Sequence, residues 1–319
     1  VPVYNASISR DASNDPLVPQ PVSDQIIQEL PSKSVMLSRA AQMSMGTKTQ
    51  RLPVLDVLPL AYFVGGDTGM KQTSSQDWKG LDLVAEEIAT IVPVPKAYLD
   101  DAQVPIWDQV RPRLVEAVGA LIDGACLFGV SKPTTWGIDI YTGALNAGNN
   151  VIKGAGTTDI AQNIALMGEK VAQDGYSING FASRPGFQWN LVALRSAGSE
   201  KLPIYQPDLT GRPGGVLYGY PLSEATNEGW KSSDAELIAG DWTKAIVGIR
   251  QDITYDIFDQ GVISDASGAV VLNLMQQDAV AMRVVMRLAY QVANPVTRLN
   301  ATGSTRFAFG VVQATTAAS

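Results

Sequence analysis

Residues 49–95 place the tightest constraint on what this chain can become. TQRLPVLDVLPLAYFV (49–64) reads as extended, and Pro53 and Pro59 confine it to a sheet edge or an irregular ribbon. GGDTGMKQTSSQDWKG (65–80) is turn-rich and polar. LDLVAEEIATIVPVP (81–95) returns as apolar, β-compatible sequence. Two extended limbs around a Gly-rich polar tip make a long hairpin. The tip carries few apolar groups and builds no core of its own. Such a hairpin is marginal alone and must lie on something else.

Composition narrows the chemistry. The 319 residues contain no histidine and one cysteine, Cys126. Imidazole-based triads are therefore excluded, a Cys/His zinc site is disfavoured, and no internal disulfide can form. Lys plus Arg number 24 and Asp plus Glu 31, so the formal charge is −7. That balance argues against coating nucleic acid by counterion release. The charged share, 17%, lies below the roughly 25% usual for soluble domains. A subunit that buries much of its exterior against copies of itself fits this, and a large compact monomer fits nearly as well. No apolar run reaches the roughly 18 residues of a membrane-spanning helix, and no signal peptide opens the chain. The expectation is a protein made and used without crossing a membrane.

Residues 1–24 are rich in Pro, Ser, Asn and Asp, with Pro2, Pro16, Pro19 and Pro21 favouring extended backbone. They read either as a disordered tail or as an arm that orders only against neighbours. Ser23 or Asp24 caps a short helix through IIQEL, ending at Pro31. The best helix covers 104–128: Ile106 or Trp107, Val110, Leu114, Val118, Leu121, Ala125 and Phe128 recur at threes and fours. Pro112 lies inside this pattern, so the helix starts near it or kinks there. Gly129 stops it. Cys126 beside the apolar face reads as a small core residue.

Residues 130–156 read as a loop, 157–175 as a helix capped by Thr157 or Thr158, and 185–198 as a third helix. Strands are expected at 179–185, 216–225, 235–242, 245–259, 285–295 and 307–313. The order lacks a βαβ rhythm, so the fold class is α+β.

No enzyme signature emerges. GAGTTD (154–159) lacks the third glycine of a dinucleotide loop and reads as a helix start. DASND (11–15) and DIFDQG (256–261) lack the full calcium-ligand series. Glu86–Glu87 and Asp100–Asp101 are adjacent pairs, which point to opposite faces of a strand. Arg111 with Arg113, and Arg283 with Arg287, are the nearest approach to basic clusters.

Five segments, taken in order, resemble the major capsid proteins of tailed bacteriophages of the Hong Kong 97 type. TQRLPVL…AYFVGG…KQTSSQDWKGLDLVAEEIATIVPVPKAYLDDA resembles the family's extended loop and return strand. IWDQVRPRLVEAVGALIDGACLFG resembles its spine helix. VLYGYPLSEA, LIAGDWTKAIVGIRQDITYDI and QDAVAMRVVMRLAYQVANP resemble the strand around a GyP turn, the GDw segment with its following strand, and the last segments of the peripheral domain. The resemblance begins near Ile26 and covers most of the remaining chain.

The resemblance implies an architecture: an N-terminal arm (1–48), an extended loop (49–92), a peripheral domain (93–148 and 277–319) and an axial domain (149–276). It implies a structural protein without enzymatic activity or cofactor. Copies assemble as hexamers and pentamers into an icosahedral shell that encloses double-stranded DNA without reading its sequence. A negative wall suits that role. The shell belongs to the virion and is assembled in the host's bacterial cytoplasm, with a scaffold or maturation protease, a portal and a decoration protein as further partners and no membrane. The arm and loop reach across neighbours, which makes Arg51, Gly65, Gly66, Asp67, Gly69, Lys71, Trp78, Lys79, Arg111 and Arg113 the expected inter-subunit contacts. Gly65, Gly66 and Gly69 would let the loop bend. Some members cross-link a loop lysine to a neighbour's asparagine; Lys71 or Lys79 with Asn294 or Asn300 correspond by rough position. Two other readings stand beside this one: an encapsulin-like bacterial compartment shell and an Asp/Glu-dependent hydrolase.

Overall fold

A computed structural model describes residues 34–65, 69–102, 105–154, 159–192, 215–265 and 267–314. The chain opens with helix α1 (Val35–Arg39) and strands β1 (Ala41–Ser44), β2 (Thr49–Val57), β3 (Asp77–Val84) and β4 (Glu86–Pro95). Helices α2 (Lys96–Asp101), α3 (Ile106–Phe128) and α4 (Ile140–Ala147) follow, then β5 (Asn150–Ile152), α5 (Ile160–Gln173), β6 (Gly180–Ser183) and α6 (Phe187–Val192). Strands dominate the rest: β7 (Val216–Leu217), β8 (Tyr220–Glu224), β9 (Ala235–Gly240), β10 (Ala245–Phe258), β11 (Val262–Ser264), β12 (Val270–Asn273), β13 (Ala279–Val292) and β14 (Phe309–Gln313). Helices and strands mix as an α+β fold.

Helix α3 is the spine. Its start lacks a side-chain cap, because Pro105 occupies the cap position. It runs through Pro112 and ends at Gly129, whose φ of 70° lets its N–H turn back to the Ala125 carbonyl. One stripe packs on a four-stranded sheet in the order β1-β10-β13-β4. Leu114 meets Met282 and Val284; Val118, Ile122 and Ala125 share a core with Met286, Leu288 and Tyr290.

A six-stranded sheet, in the order β5-β14-β9-β6-β8-β7, builds the second half. Every residue of β9 is buried. Its side chains alternate between two cores: Ile238 joins the one beneath α3, while Leu237 and Ala239 join the one holding Phe181 and Phe187. Helices α4 and α5 pack on β14. A two-stranded hairpin, β2-β3, joins neither ladder, but Leu83 of β3 packs on Ala289 of β13.

Several expectations change. The return limb 81–95 is not one strand. β3 pairs with β2 from Thr49 opposite Val84 to Val57 opposite Asp77, whereas β4 pairs with β13. Buried Ala85 separates them, its N–H donating to the Lys48 carbonyl, so the chain changes sheets at one residue. The loop expected over 130–156 contains α4, capped by Asp139, whose carboxylate accepts the Thr142 N–H. Gly143 weakens the helix signal but is required there, since a Cβ would lie 2.3 Å from the Phe307 ring. Helix α5 takes its cap from Asp159, whose carboxylate accepts the Gln162 N–H, and the expected caps Thr157 and Thr158 lie outside the described residues. The third helix, expected to reach 198, is described only to Val192, and 193–214 lie outside the described residues. β13 begins at Ala279, earlier than the expected 285.

Sheet membership also crosses the expected boundary between 149–276 and 277–319. β10 pairs with β13 in the four-stranded sheet, and β14 lies between β5 and β9 in the six-stranded one. β14 is buried on both faces, Val311 in one core and Val312 in the other, and only an interior sheet position covers both. The readings for 1–24 and IIQEL fall outside the described residues.

Candidate assembly surface

The β2-β3 hairpin is buried at its root, where Leu83 packs with Met45, Ala85 and Ala289, and exposed at its far end. The first four residues of β3 are exposed, with Trp78 at 62%. Arg51 and Asp82 face each other across the ladder and form a two-point ion pair at 2.6 and 2.8 Å. Hydrogen bonding from Arg51 holds the Asp82 carboxyl below its usual range. At the tip the Tyr62 hydroxyl donates to the Gln72 carbonyl at 3.0 Å and ties the two limbs together. The tip is more apolar than its polar stretch implies: Leu60, Tyr62, Phe63, Val64 and Met70 are all exposed. A Cβ on Gly69 would lie 2.3 Å from the Val64 side chain, so the glycine permits the close return of the chain. Gly65 has open space around it and Lys71 is exposed. Gly66 and Asp67 lie outside the described residues.

Two buried polar clusters fix the hairpin's roots. Asp123, on the inner face of α3, is fully buried. Its carboxylate accepts the Ser34 hydroxyl at 2.7 Å, the Val35 and Met36 N–H groups at 2.9 Å each, and the Asn227 amide at 2.6 Å. The spine helix thereby caps α1, which leads through β1 into the hairpin. The second cluster surrounds Arg306. Its guanidinium donates to the Asn294 side chain and to the Asn294 and Asn300 carbonyls. Asp174 accepts from Asn149, Asn300 and the Phe307 N–H. Tyr176 donates to Asn294 and Pro295, and burial pushes its phenol up to about 12. From this cluster the Val296 N–H reaches the Leu55 carbonyl of β2 at 2.9 Å.

Lys79 and Asn294 line one cleft of 230 Å³, with Asp56, Gly80 and Arg306. The Asn294 amide nitrogen already donates to the Gly303 and Arg306 carbonyls. That of Asn300 donates to Asp174 and the Thr305 carbonyl. On α3, Arg113 donates to Glu116 at 2.7 Å, and Arg111 lies 3.8 Å from Asp108 and 5.9 Å from the centre of the Tyr255 ring.

Little here is built for catalysis. Cys126 is buried as expected, and desolvation pushes its thiol well up, away from a reactive thiolate. Buried Glu236 is a structural acid. Burial pushes its carboxyl up, but hydrogen bonds from Arg184 and from Lys153 at 2.9 Å outweigh this and hold it below the usual range. Among the described residues, no helix is long and apolar enough to span a membrane.

Sequence reasoning missed Asp123, Asp174, Arg306 and the tip residue Phe63. Asp123 carried a signal: it is a carboxylate inside the apolar stretch of the spine helix.

The Phage capsid family matches residues 14–297. A major capsid protein of Staphylococcus phage 80alpha is 27% identical over 272 residues, covering 84% of this chain and 79% of that protein. A structure from Mycobacterium phage Adephagia superposes with a TM-score of 0.84 at 29% identity, covering 98% of this chain and 99% of that one. One from Microbacterium phage Oxtober96 gives 0.82 at 33% identity, covering 93% and 96%. The compartment-shell and hydrolase readings gain no support from these matches. The fold is of the Hong Kong 97 type, the role is structural and not enzymatic, and the chain belongs to the phage capsid family.

Proposed function

We propose that this capsid subunit closes its shell by laying the β2-β3 hairpin on a neighbouring copy. The observation that carries the reading is the hairpin itself. It is a paired ladder outside both sheets, with Trp78 and the tip residues exposed, yet rooted through Asp123, Ala85 and Val296. Its own subunit covers the root of the ribbon at Leu83, but a two-stranded ribbon whose far end is bare is marginal in water. In this reading a second copy covers that end. Contacts between different surfaces of one chain make rings, and rings of six and five close an icosahedral shell.

Arg51, Gly65, Gly66, Asp67, Gly69, Lys71, Trp78 and Lys79 are the loop contacts in this reading, and Arg111 and Arg113 the contacts on the spine helix. Arg51 acts first within its own hairpin, through Asp82. The cross-link from Lys71 or Lys79 to Asn294 or Asn300 has weaker support, because both asparagine amides are committed to buried partners. Assembly in the bacterial cytoplasm, DNA enclosed without sequence reading, and help from a scaffold or maturation protease, a portal and a decoration protein complete the proposal. The formal charge of −7 keeps the wall from gripping DNA.

The test is to express the full chain and a version lacking 58–76, and to image both by negative-stain electron microscopy beside size-exclusion chromatography. Shells or capsomer rings from the full chain, and none from the shortened one, support the reading. Normal shells from the shortened chain overturn it.

A further inference from the structure

The spine helix leaves one stripe residue uncovered. Leu121 belongs to the apolar face of α3 yet is 42% exposed. It lines a cavity of 230 Å³ between α3, β4 and the segment after α3, together with Ile88, Ala125, Pro133 and Trp136. A cavity of about 150 Å³ with apolar walls accepts a benzene ring. The cavity therefore suits an aromatic ring.

The hairpin tip carries such a group. Phe63 is wholly exposed and touches no core of its own subunit. It lies in a stretch, 58–65, that forms no strand. The Tyr62–Gln72 bond holds Lys71 beside it across the tip. Charge agrees with this. Glu86 stands at the cavity wall and receives only the Thr135 hydroxyl among the described residues, whereas its neighbour Glu87 is paired with Arg287 at 2.6 Å. Lys71 is the matching cation.

We propose that Phe63 of one subunit seats in the Leu121–Trp136 cavity of a second copy, with Lys71 beside Glu86. Knob and cavity lie on different surfaces of the same chain, so the contact is head-to-tail and propagates around a ring. The inference rests on the reading that the hairpin lies on a neighbour, and it names the residue and its receptor.

The test places photoreactive p-benzoylphenylalanine at position 63 of the full chain. Shells are assembled from a mixture of isotope-labelled and unlabelled subunits, irradiated, digested and mapped by mass spectrometry. Mixed-label adducts on peptides carrying Leu121, Ile88 or Trp136 support the proposal. Mixed-label adducts elsewhere on the second copy overturn the cavity but leave the hairpin-on-neighbour reading standing. Adducts confined to one copy overturn both. Should the photoreactive chain not assemble, Leu121→Glu tests the receptor side. Its far-UV circular dichroism stays that of the wild-type subunit, because the site is open, while shell yield falls roughly tenfold or more. Wild-type yield from Leu121→Glu overturns the proposal.

Discussion

Strands β9 and β3 are both extended and both carry large apolar side chains, yet they sit at opposite extremes. All six residues of β9 are buried between two cores of its own subunit. The first four of β3 are exposed and Leu83 is its one buried residue, on a ribbon whose ladder partner among the described residues is β2. The difference lies in what stands on each face. β9 has a helix layer and neighbouring strands on both sides. β3 is covered only at its root, where Leu83 packs with Met45, Ala85 and Ala289. One region is stabilised by the fold, and on the proposed function the bare end of the other is covered by a neighbouring copy.

Mutations separate the two, from the largest effect on the isolated subunit to the smallest. Phe309→Ala removes a fully buried ring packed edge-on against Trp242 at 5.3 Å, and destabilises the unassembled subunit by about 3–5 kcal/mol in chemical unfolding. Asp123→Ala leaves the donors of Ser34, Val35, Met36 and Asn227 without an acceptor and costs roughly 3 kcal/mol. Asp123→Asn does not rescue it, because an amide turns a donor toward groups that need an acceptor. A subunit in which Asp123→Ala is silent would mean that α1 is not held by the spine helix.

A pH titration probes the Arg306 cluster. An unfolded tyrosine ionises near pH 10, whereas Tyr176 holds its proton to about 12. Below pH 10 the phenol is neutral in both states and its contribution is whole. Between pH 10 and about 12 the unfolded state gains by ionising, and stability falls by about 1–2 kcal/mol after allowance for solvent screening. Tyr176→Phe removes this part of the alkaline slope in melting curves taken against pH.

The hairpin behaves in the opposite way. Trp78→Ala changes subunit stability by less than about 0.5 kcal/mol but lowers shell yield, measured by sedimentation. A stability loss without an assembly defect would put Trp78 among the groups the subunit itself covers. Arg51→Ala has the smallest effect. It leaves the subunit's melting temperature unchanged, and its assembly defect shrinks as salt is added, because the Arg51–Asp82 pair is exposed and screened.

What the sequence determined by itself is local. The spacing of Leu114, Val118 and Ala125 fixed a long helix, and Gly129 its end, because a period of 3.6 and a left-handed stop are written in neighbouring residues. The alternation in 245–259 marked β10 in the same way. The proline-interrupted limbs around a Gly-rich tip marked a hairpin, and β2 and β3 pair as one. Tertiary structure decided the rest. It divided 77–95 between two sheets at Ala85, sent β14 into the six-stranded sheet, and gathered Asp123, Ser34 and Asn227 around one carboxylate. It also left Leu121 uncovered on a stripe where Leu114, Val118, Ala125 and Phe128 are buried. Side-chain period names the face that must be covered. Which strand, helix or neighbouring subunit covers it depends on contacts between residues far apart in the chain, and these exist only once the chain has folded.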